Sequence, residues 1–378
     1  MLLSDLIDVK LLGRYIDDGI VRARPHPTLP LVILNYTPAA VTVKVWDETL
    51  SRCRGLVYDT ETLQVVGLPM RKFWNFGDTG HGAGKESLPE GLPKIYEKID
   101  GSLGIGFFYQ DEFIIATRGS FESDQAKWAN GQVEKNFTKP STNFSKNYTY
   151  LFEIVAPGDR KVVNYPFSGL VLLGAISLFS GREYPPEDVF EAEREWMGWV
   201  RLPRQLPYEE LEILRAKDLD NEEGFVATWY DGAKTYRVKL KFETYCKFHK
   251  LYFQTSTLVI WDLTRVGKSV IMELQDADQA LKDWAGKIAS DIQRDHDSLR
   301  TAYTEAFRTV IALCNISEGD VIDRERRKLF AMYAKGYEKS SLLFTLFDGR
   351  LDKFEDMVWE FVKPVSKQFF RKTESEEG

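Results

Sequence analysis

The sequence predicts an α+β protein, with an antiparallel-rich N-terminal domain over residues 1–248 and an all-helical C-terminal domain over 249–378. Between about Leu31 and Lys241, short β-rich runs are separated by turn residues. After about Tyr245, Gly and Pro thin out and apolar residues recur at helical spacing. The 378 residues are 43% hydrophobic and 28% charged, which is the composition of a folded chain about two domains long.

The strands are expected in order at LVILNY (from Leu31), RGLVYD (Arg54), LQVVGLP (Leu63), KIYEKID (Lys94) and LGIGFFYQ (Leu103). FIIATRG (Phe113), YTYLFEIV (Tyr148), LVLLGAISLF (Leu170), EGFVATWY (Glu223) and TYRVKLK (Thr235) follow. Asp100-Gly101 and Asp231-Gly232 lie between apolar runs and read as hairpin or turn apices, because glycine supplies the positive φ of tight turns. The uncharged stretch from Val162 to Gly181 is interrupted by Asn164, Pro166, Gly169 and Gly174, so it reads as a buried strand rather than a membrane span. GDTGHGAGK, ending at Lys85, reads as a mobile surface loop, and DRERRK from Asp323 as a solvated helix face.

Several chemistries are excluded. A net charge of −7 advertises no uniformly basic nucleic-acid surface, which leaves only local patches for such a partner. Three cysteines without a CxxC give neither a disulfide framework nor a thiolate zinc site. The four histidines form no HExxH, and no GxSxG is present. GAGKES fails as a P-loop, with Thr79 where the first glycine belongs and Glu86 after Lys85. Asp5 interrupts the apolar N-terminus, so no secretory signal is expected and a reducing cytoplasm is the predicted location, that of the host if the chain is phage-encoded.

The chemistry concentrates at Lys98-Ile99-Asp100-Gly101, where a strand-end lysine meets a turn that aims its amine into a cleft. A lysine becomes a nucleophile when its surroundings free the lone pair. Downstream, Arg118, Glu153, Glu223, Lys239 and Lys241 each end or punctuate a strand. Lys239 and Lys241, two apart, share a strand face and invite a polyanion between them.

This ordered series resembles motifs I, Ia, III, IV and V of the covalent nucleotidyltransferases, the superfamily of polynucleotide ligases and capping enzymes. CRGLVYD at Cys53, PMRKFWN at Pro69, TRGSFESDQAKWANG at Thr117, FEIVAP at Phe152 and KLKFETY at Lys239 are similar to the RNA ligase 1 family of T-even-type bacteriophages, over about Asn35 to Tyr245. The resemblance implies a nucleotidyltransferase N-terminal domain and an ATP-dependent RNA ligase. Lys98 would take AMP from ATP, pass it to an RNA 5′-phosphate, and release it when a 3′-hydroxyl seals the strand. It further implies that Arg54 and Lys72 contact ATP phosphates, that Glu153 holds the ribose, and that Glu223 positions magnesium. Lys239 and Lys241 would grip the triphosphate and lower the pKa of Lys98, and Tyr245 would lie near the site. Arg118 stands where the phage relative has lysine. RNA repair, including that of transfer RNA, by a monomeric enzyme is the implied role. The rivals are a DNA ligase or capping enzyme, which would carry a β-rich OB-fold after motif V, and a silent RNA-end-binding protein.

Overall fold

The computed structural model describes all residues except 43–45, 137–145, 159–161, 232–233, 276, 278, 318–322 and 371–378. The chain divides into two compact units, residues 1–247 and residues 248–372. In chain order the strands of the first unit begin with β1 (Val21–Pro25), β2 (Leu31–Tyr36), β3 (Arg54–Asp59) and β4 (Val65–Gly67). Next come β5 (Trp74–Asn75), β6 (Lys94–Glu97), β7 (Ser102–Tyr109), β8 (Glu112–Thr117) and β9 (Tyr148–Val155). The series closes with β10 (Gly169–Ser177), β11 (Glu183–Tyr184), β12 (Gln205–Leu206), β13 (Gly224–Asp231) and β14 (Lys234–Lys241).

They form three sheets: β1-β2-β3-β4, a central sheet β11-β10-β9-β7-β8, and a lysine-bearing sheet β12-β6-β13-β14-β5. Every pairing in them is antiparallel except β14 with β5. All ten sequence-predicted strands are present, whereas β1, β5, β11 and β12 were not anticipated. Three of these, β5, β11 and β12, are only two residues long and carry no periodicity to read. The stretch read as a buried strand supplies β10, most of which is buried.

Period-2 alternation explains the lysine-bearing sheet. Ile95, Phe225, Ala227, Trp229, Val238 and Leu240 point to one side and form a core with Leu211 and Leu214 of the helix Leu211–Ala216. Lys94 and Tyr96 on β6, Thr228 on β13, and Arg237, Lys239 and Lys241 on β14 occupy the opposite face by register. The central sheet packs Tyr150, Phe152, Ile154 and Leu172 on its back against Trp196 and Met197. Part of its front, Ile105, Phe107 and Leu151, meets Leu34 and Leu56 of the first sheet.

Asp100-Gly101 is not a hairpin apex. β6 and β7 belong to different sheets, so the dipeptide is the crossover between them. It is glycine because a Cβ at position 101 would lie 2.5 Å from the Ile154 carbonyl oxygen and 3.0 Å from Glu153 Cγ. Asp231 pairs with Lys234 at the end of the β13–β14 hairpin, while Gly232 lies outside the described residues. The Gly-rich stretch forms two short 3-10 turns rather than a free loop: Tyr236 Oη donates to the Gly82 carbonyl, and Lys85 pairs with Glu212 at 2.8 Å.

The described residues of the second unit form helices and no strand of the three sheets. Its spine is the 35-residue helix Gln279–Leu313, about 50 Å long at 1.5 Å per residue. Leu281 and Ala285 pack with Trp261 and Trp359 toward one end, and Val310 with Phe330 and Leu343 toward the other. The DRERRK segment opens the helix Arg324–Ala334, with Asp323 capping the Arg326 amide at 2.8 Å and Lys328 exposed.

Gly224 has φ +137°, and a Cβ there would sit 1.9 Å from the Leu240 carbonyl oxygen. Gly224→Ala should cost at least ~2 kcal/mol in urea unfolding. Gly19→Ala, at φ +68° with open space around it, should cost only about 1 kcal/mol.

Candidate active site

Lys98 follows the last residue of β6, and its backbone amide donates to the Gly224 carbonyl at 2.9 Å, fixing it beside the start of β13. Its Nζ donates to Glu223 Oε2 at 2.8 Å, while Glu223 Oε1 meets Lys241 Nζ, also at 2.8 Å. Lys241 is register partner to Gly224, so the crossing of strand ends that needs glycine also places the carboxylate between two ammonium groups. Glu223 is only 3% exposed, whereas Glu222 turns outward to Arg204.

Burial opposes each of these charges. It pushes the Glu223 carboxyl upward, but Lys98 and Lys241 outweigh it and hold the group below the usual carboxylate range. Burial likewise pulls Lys98 downward, but Glu223 and Glu153 carry its ammonium above the ordinary lysine value. The expectation that Lys239 and Lys241 depress Lys98 is therefore corrected. A carboxylate in direct contact with Nζ decides the sign.

Glu153 sits on β9 opposite Leu103 and Val171. No hydrogen bond or ion pair engages its carboxylate among the described residues, and burial pushes it up to about 7 despite the opposing fields of Lys98 and Arg54. Asp100, read from sequence only as a turn residue, ties the crossover down. Its Oδ2 accepts the amides of Val162 (2.8 Å) and Val163 (3.1 Å), and its Oδ1 accepts Tyr245 Oη at 3.0 Å. Its own amide donates to Tyr165 Oη at 2.7 Å. Tyr245 thus joins the site through Asp100, and its ring lies 5.1 Å from Lys241 Nζ.

The remaining cations gather around aromatic rings. Phe73 is shared by Arg54 (5.9 Å) and Lys239 (5.5 Å), and Tyr36 by Lys72 (5.2 Å) and Arg118 (5.4 Å). Trp46 and Trp74 complete a cage around Lys72 at 4.5 and 4.2 Å, with His81 stacked on Trp74 at 3.6 Å. The sequence reading missed Tyr36, Trp46, Phe73 and Trp74, since aromatics are usually core and nothing in their spacing marks a cage.

Among the described residues, no carboxylate lies within ion-pair distance of Arg54, Lys72, Arg118 or Lys239. Arg54 Nη1 is buried without a hydrogen-bond partner. Burial, with Lys241, Lys98, Lys72 and Arg54 adding to it, lowers Lys239 to about 7. Uncompensated positive charge in a half-buried setting is complementary to a polyphosphate. No three His, Cys, Asp or Glu side chains among the described residues could together hold a metal ion. Both Glu223 oxygens already meet ammonium groups, so a divalent cation there would share or displace one of those contacts and take most of its oxygens from a bound phosphate and water, which is the habit of magnesium.

No protein-family model matches the chain. It is 24% identical over 306 residues to an RNA ligase of Rhodothermus phage RM378, covering 69% of this chain and 68% of the relative. It is 28% identical over 196 residues to RNA ligase 1 of bacteriophage TS2126, covering 49% of each. The chain thus spans about two thirds of the first relative and half of the second. Among solved structures, a Naegleria gruberi RNA ligase with pyrophosphate is similar at 16% identity and TM-score 0.34, covering 42% of this chain and 51% of that one.

Two outcomes follow from the electrostatics. At pH 8 Lys239 is mostly uncharged, and a bound polyanion raises its pKa, so inorganic tripolyphosphate should bind with net proton uptake. Calorimetry in buffers of different ionisation enthalpy should show this for the unaltered protein and not for Lys239→Met. The folded protein holds the Glu153 proton up to about 7, against an ordinary value of 4.5. The stability from this group is complete below pH 4.5 and lost as pH rises through 7. Glu153→Gln should therefore gain stability relative to the unaltered protein between pH 5 and pH 8, as read by urea unfolding.

Proposed function

We propose that this chain is an ATP-dependent RNA ligase that joins a 5′-phosphate to a 3′-hydroxyl through lysyl-AMP and RNA-adenylate intermediates. The observation that carries the reading is the set of four cations without carboxylate partners beside a buried lysine held by Glu223. The ordered motifs and the relatives named RNA ligase support the same class. No helix among the described residues is long and apolar enough to cross a membrane.

In the first step, Lys98 Nζ attacks the α-phosphorus of ATP; the N–P bond forms, and the bond to the pyrophosphate oxygen breaks. Lys98 must first lose a proton, and its contact with Glu223 opposes that loss. The resting site is thus a protected nucleophile. Arg54, Lys72, Arg118, Lys239 and Lys241 hold the phosphates and stabilise charge on the leaving group. Glu153, with its carboxylate free of protein donors, accepts from the ribose hydroxyls. Asp100 and Tyr245 keep the crossover rigid so that Lys98 stays aimed. Glu223, together with phosphate and water oxygens, would hold magnesium, which would supply positive charge at the phosphates. The AMP then moves to an RNA 5′-phosphate oxygen, and the 3′-hydroxyl displaces it as the phosphodiester forms. Membership of the T-even-type family, monomeric action and repair of transfer RNA in the cytoplasm complete the proposal.

A DNA ligase or capping reading is disfavoured by helices in the described residues of 248–370, where an OB-fold would supply strands. Incubation with magnesium and α-labelled ATP or GTP, followed by denaturation, tests the choice. Label should stay on the chain from ATP alone and vanish with Lys98→Ala, which should still seal pre-adenylated RNA. Label from GTP would move the chain to the capping class, and none from either to a binding module. Lys239→Ala should slow adenylylation about 100-fold and slow sealing of pre-adenylated RNA less; equal losses would count against its assigned role.

A further inference from the structure

Arg237 shares the cleft face of β14 with Lys239 and Lys241, yet it has a protein partner on the other sheet. Glu183 lies on β11 of the central sheet, and its side chain pairs with Arg237, the two being 12% and 7% exposed. From there a row of polar and aromatic side chains runs back across the lysine-bearing sheet. The Arg237 guanidinium lies 5.9 Å from the Tyr230 ring of β13, and Lys94 Nζ of β6 lies 5.9 Å from the same ring. Tyr96 Oη donates to Glu187 at 2.8 Å, and Lys94 of β6 pairs with the same carboxylate. Glu187 belongs to the helix Pro186–Ala192, which packs on β10 of the central sheet.

The two sheets are therefore tied by ion pairs at two points, and both ties come from the strand faces that elsewhere carry the site. Along β6 and one residue past its end the row Lys94, Tyr96, Lys98 passes from tie to nucleophile; on β14 the row Arg237, Lys239, Lys241 passes from tie to phosphate cations. Glu153 stands on the opposing sheet. The Arg237–Glu183 ion pair is buried and a strand is stiff over two residues, so the tie sets the separation at Lys239, about 7 Å further along at about 3.4 Å per residue.

We infer that the two ties, Arg237 with Glu183 and Lys94 and Tyr96 with Glu187, fix the gap between the two sheets, making Arg237 a positioning residue that sets Lys239 and Lys98 against Glu153. The functional consequence rests on the ligase reading; the structural one does not.

The test measures both. Cysteine labels at Glu134, exposed on the helix Asp124–Asn136 against the central sheet, and at Ile213, exposed on the helix Leu211–Ala216 against the lysine-bearing sheet, report the gap by spin–spin distance. The exposed native Cys246 is replaced by serine. Arg237→Met and the milder Glu183→Gln, each confirmed as folded by circular dichroism, should broaden or lengthen the distance distribution, and Arg237→Lys should do so less. In the same proteins, lysyl-AMP formation at saturating ATP should fall about 10- to 100-fold, with KM for ATP changing far less. An unchanged distribution would overturn the inference, as would a broadened one with the normal rate per folded molecule. If the unaltered protein forms no lysyl-AMP, the ligase reading fails, while the distances still judge the tie.

Discussion

One buried carboxylate holds the site together. Glu223 lies 2.8 Å from the ammonium groups of both Lys98 and Lys241, on strands that would otherwise push like charges apart. Removing either cation would leave Glu223 short of a partner in a place where an unpaired charge is costly, and removing Glu223 would set two ammoniums against each other. The crossover at Asp100-Gly101, the close approach at Gly224 and the anchoring of Tyr245 all serve to bring these three side chains within contact distance. The same contact keeps the lysine protonated, so the geometry that aims the nucleophile also restrains it.

The other cations obey a different constraint. They are spaced by ring faces, with Phe73 between Arg54 and Lys239, and Tyr36 between Lys72 and Arg118. A ring attracts a cation without neutralising it, so the cluster is held in place while its charge stays available to a ligand. Carboxylates in those positions would have stabilised the resting protein and competed with any polyphosphate. The depressed ammonium of Lys239 is the visible cost of leaving them out.

Much of this was legible in the sequence because it depends on alternation. RVKLK announces a strand with two different faces, and ten of the fourteen strands were found from period-2 patterning and turn residues. Lys98, Glu153, Glu223, Lys239 and Lys241 were marked by being charged at the ends of apolar runs, and the structure gathers them on facing strands. What stayed hidden is long-range. That Asp100 reaches residues 162 and 163, that Lys72 is caged by Tyr36, Trp46 and Trp74, and that Arg237 finds Glu183 are facts of three-dimensional register. The sign of the Lys98 shift was misjudged for the same reason. Sequence placed the neighbouring lysines but not the distance to Glu223.

The two-sided character of β14 also constrains how this gene can change. A single inserted or deleted codon between Thr235 and Lys241 would exchange the faces downstream, sending Val238 or Leu240 into the cleft and lysines into the core. Paired insertions would preserve the faces but shift Lys241 away from Gly224. Length drift among descendants of this chain is thus confined to connections outside the strand, while substitutions within it are free only where they keep each side chain's sidedness.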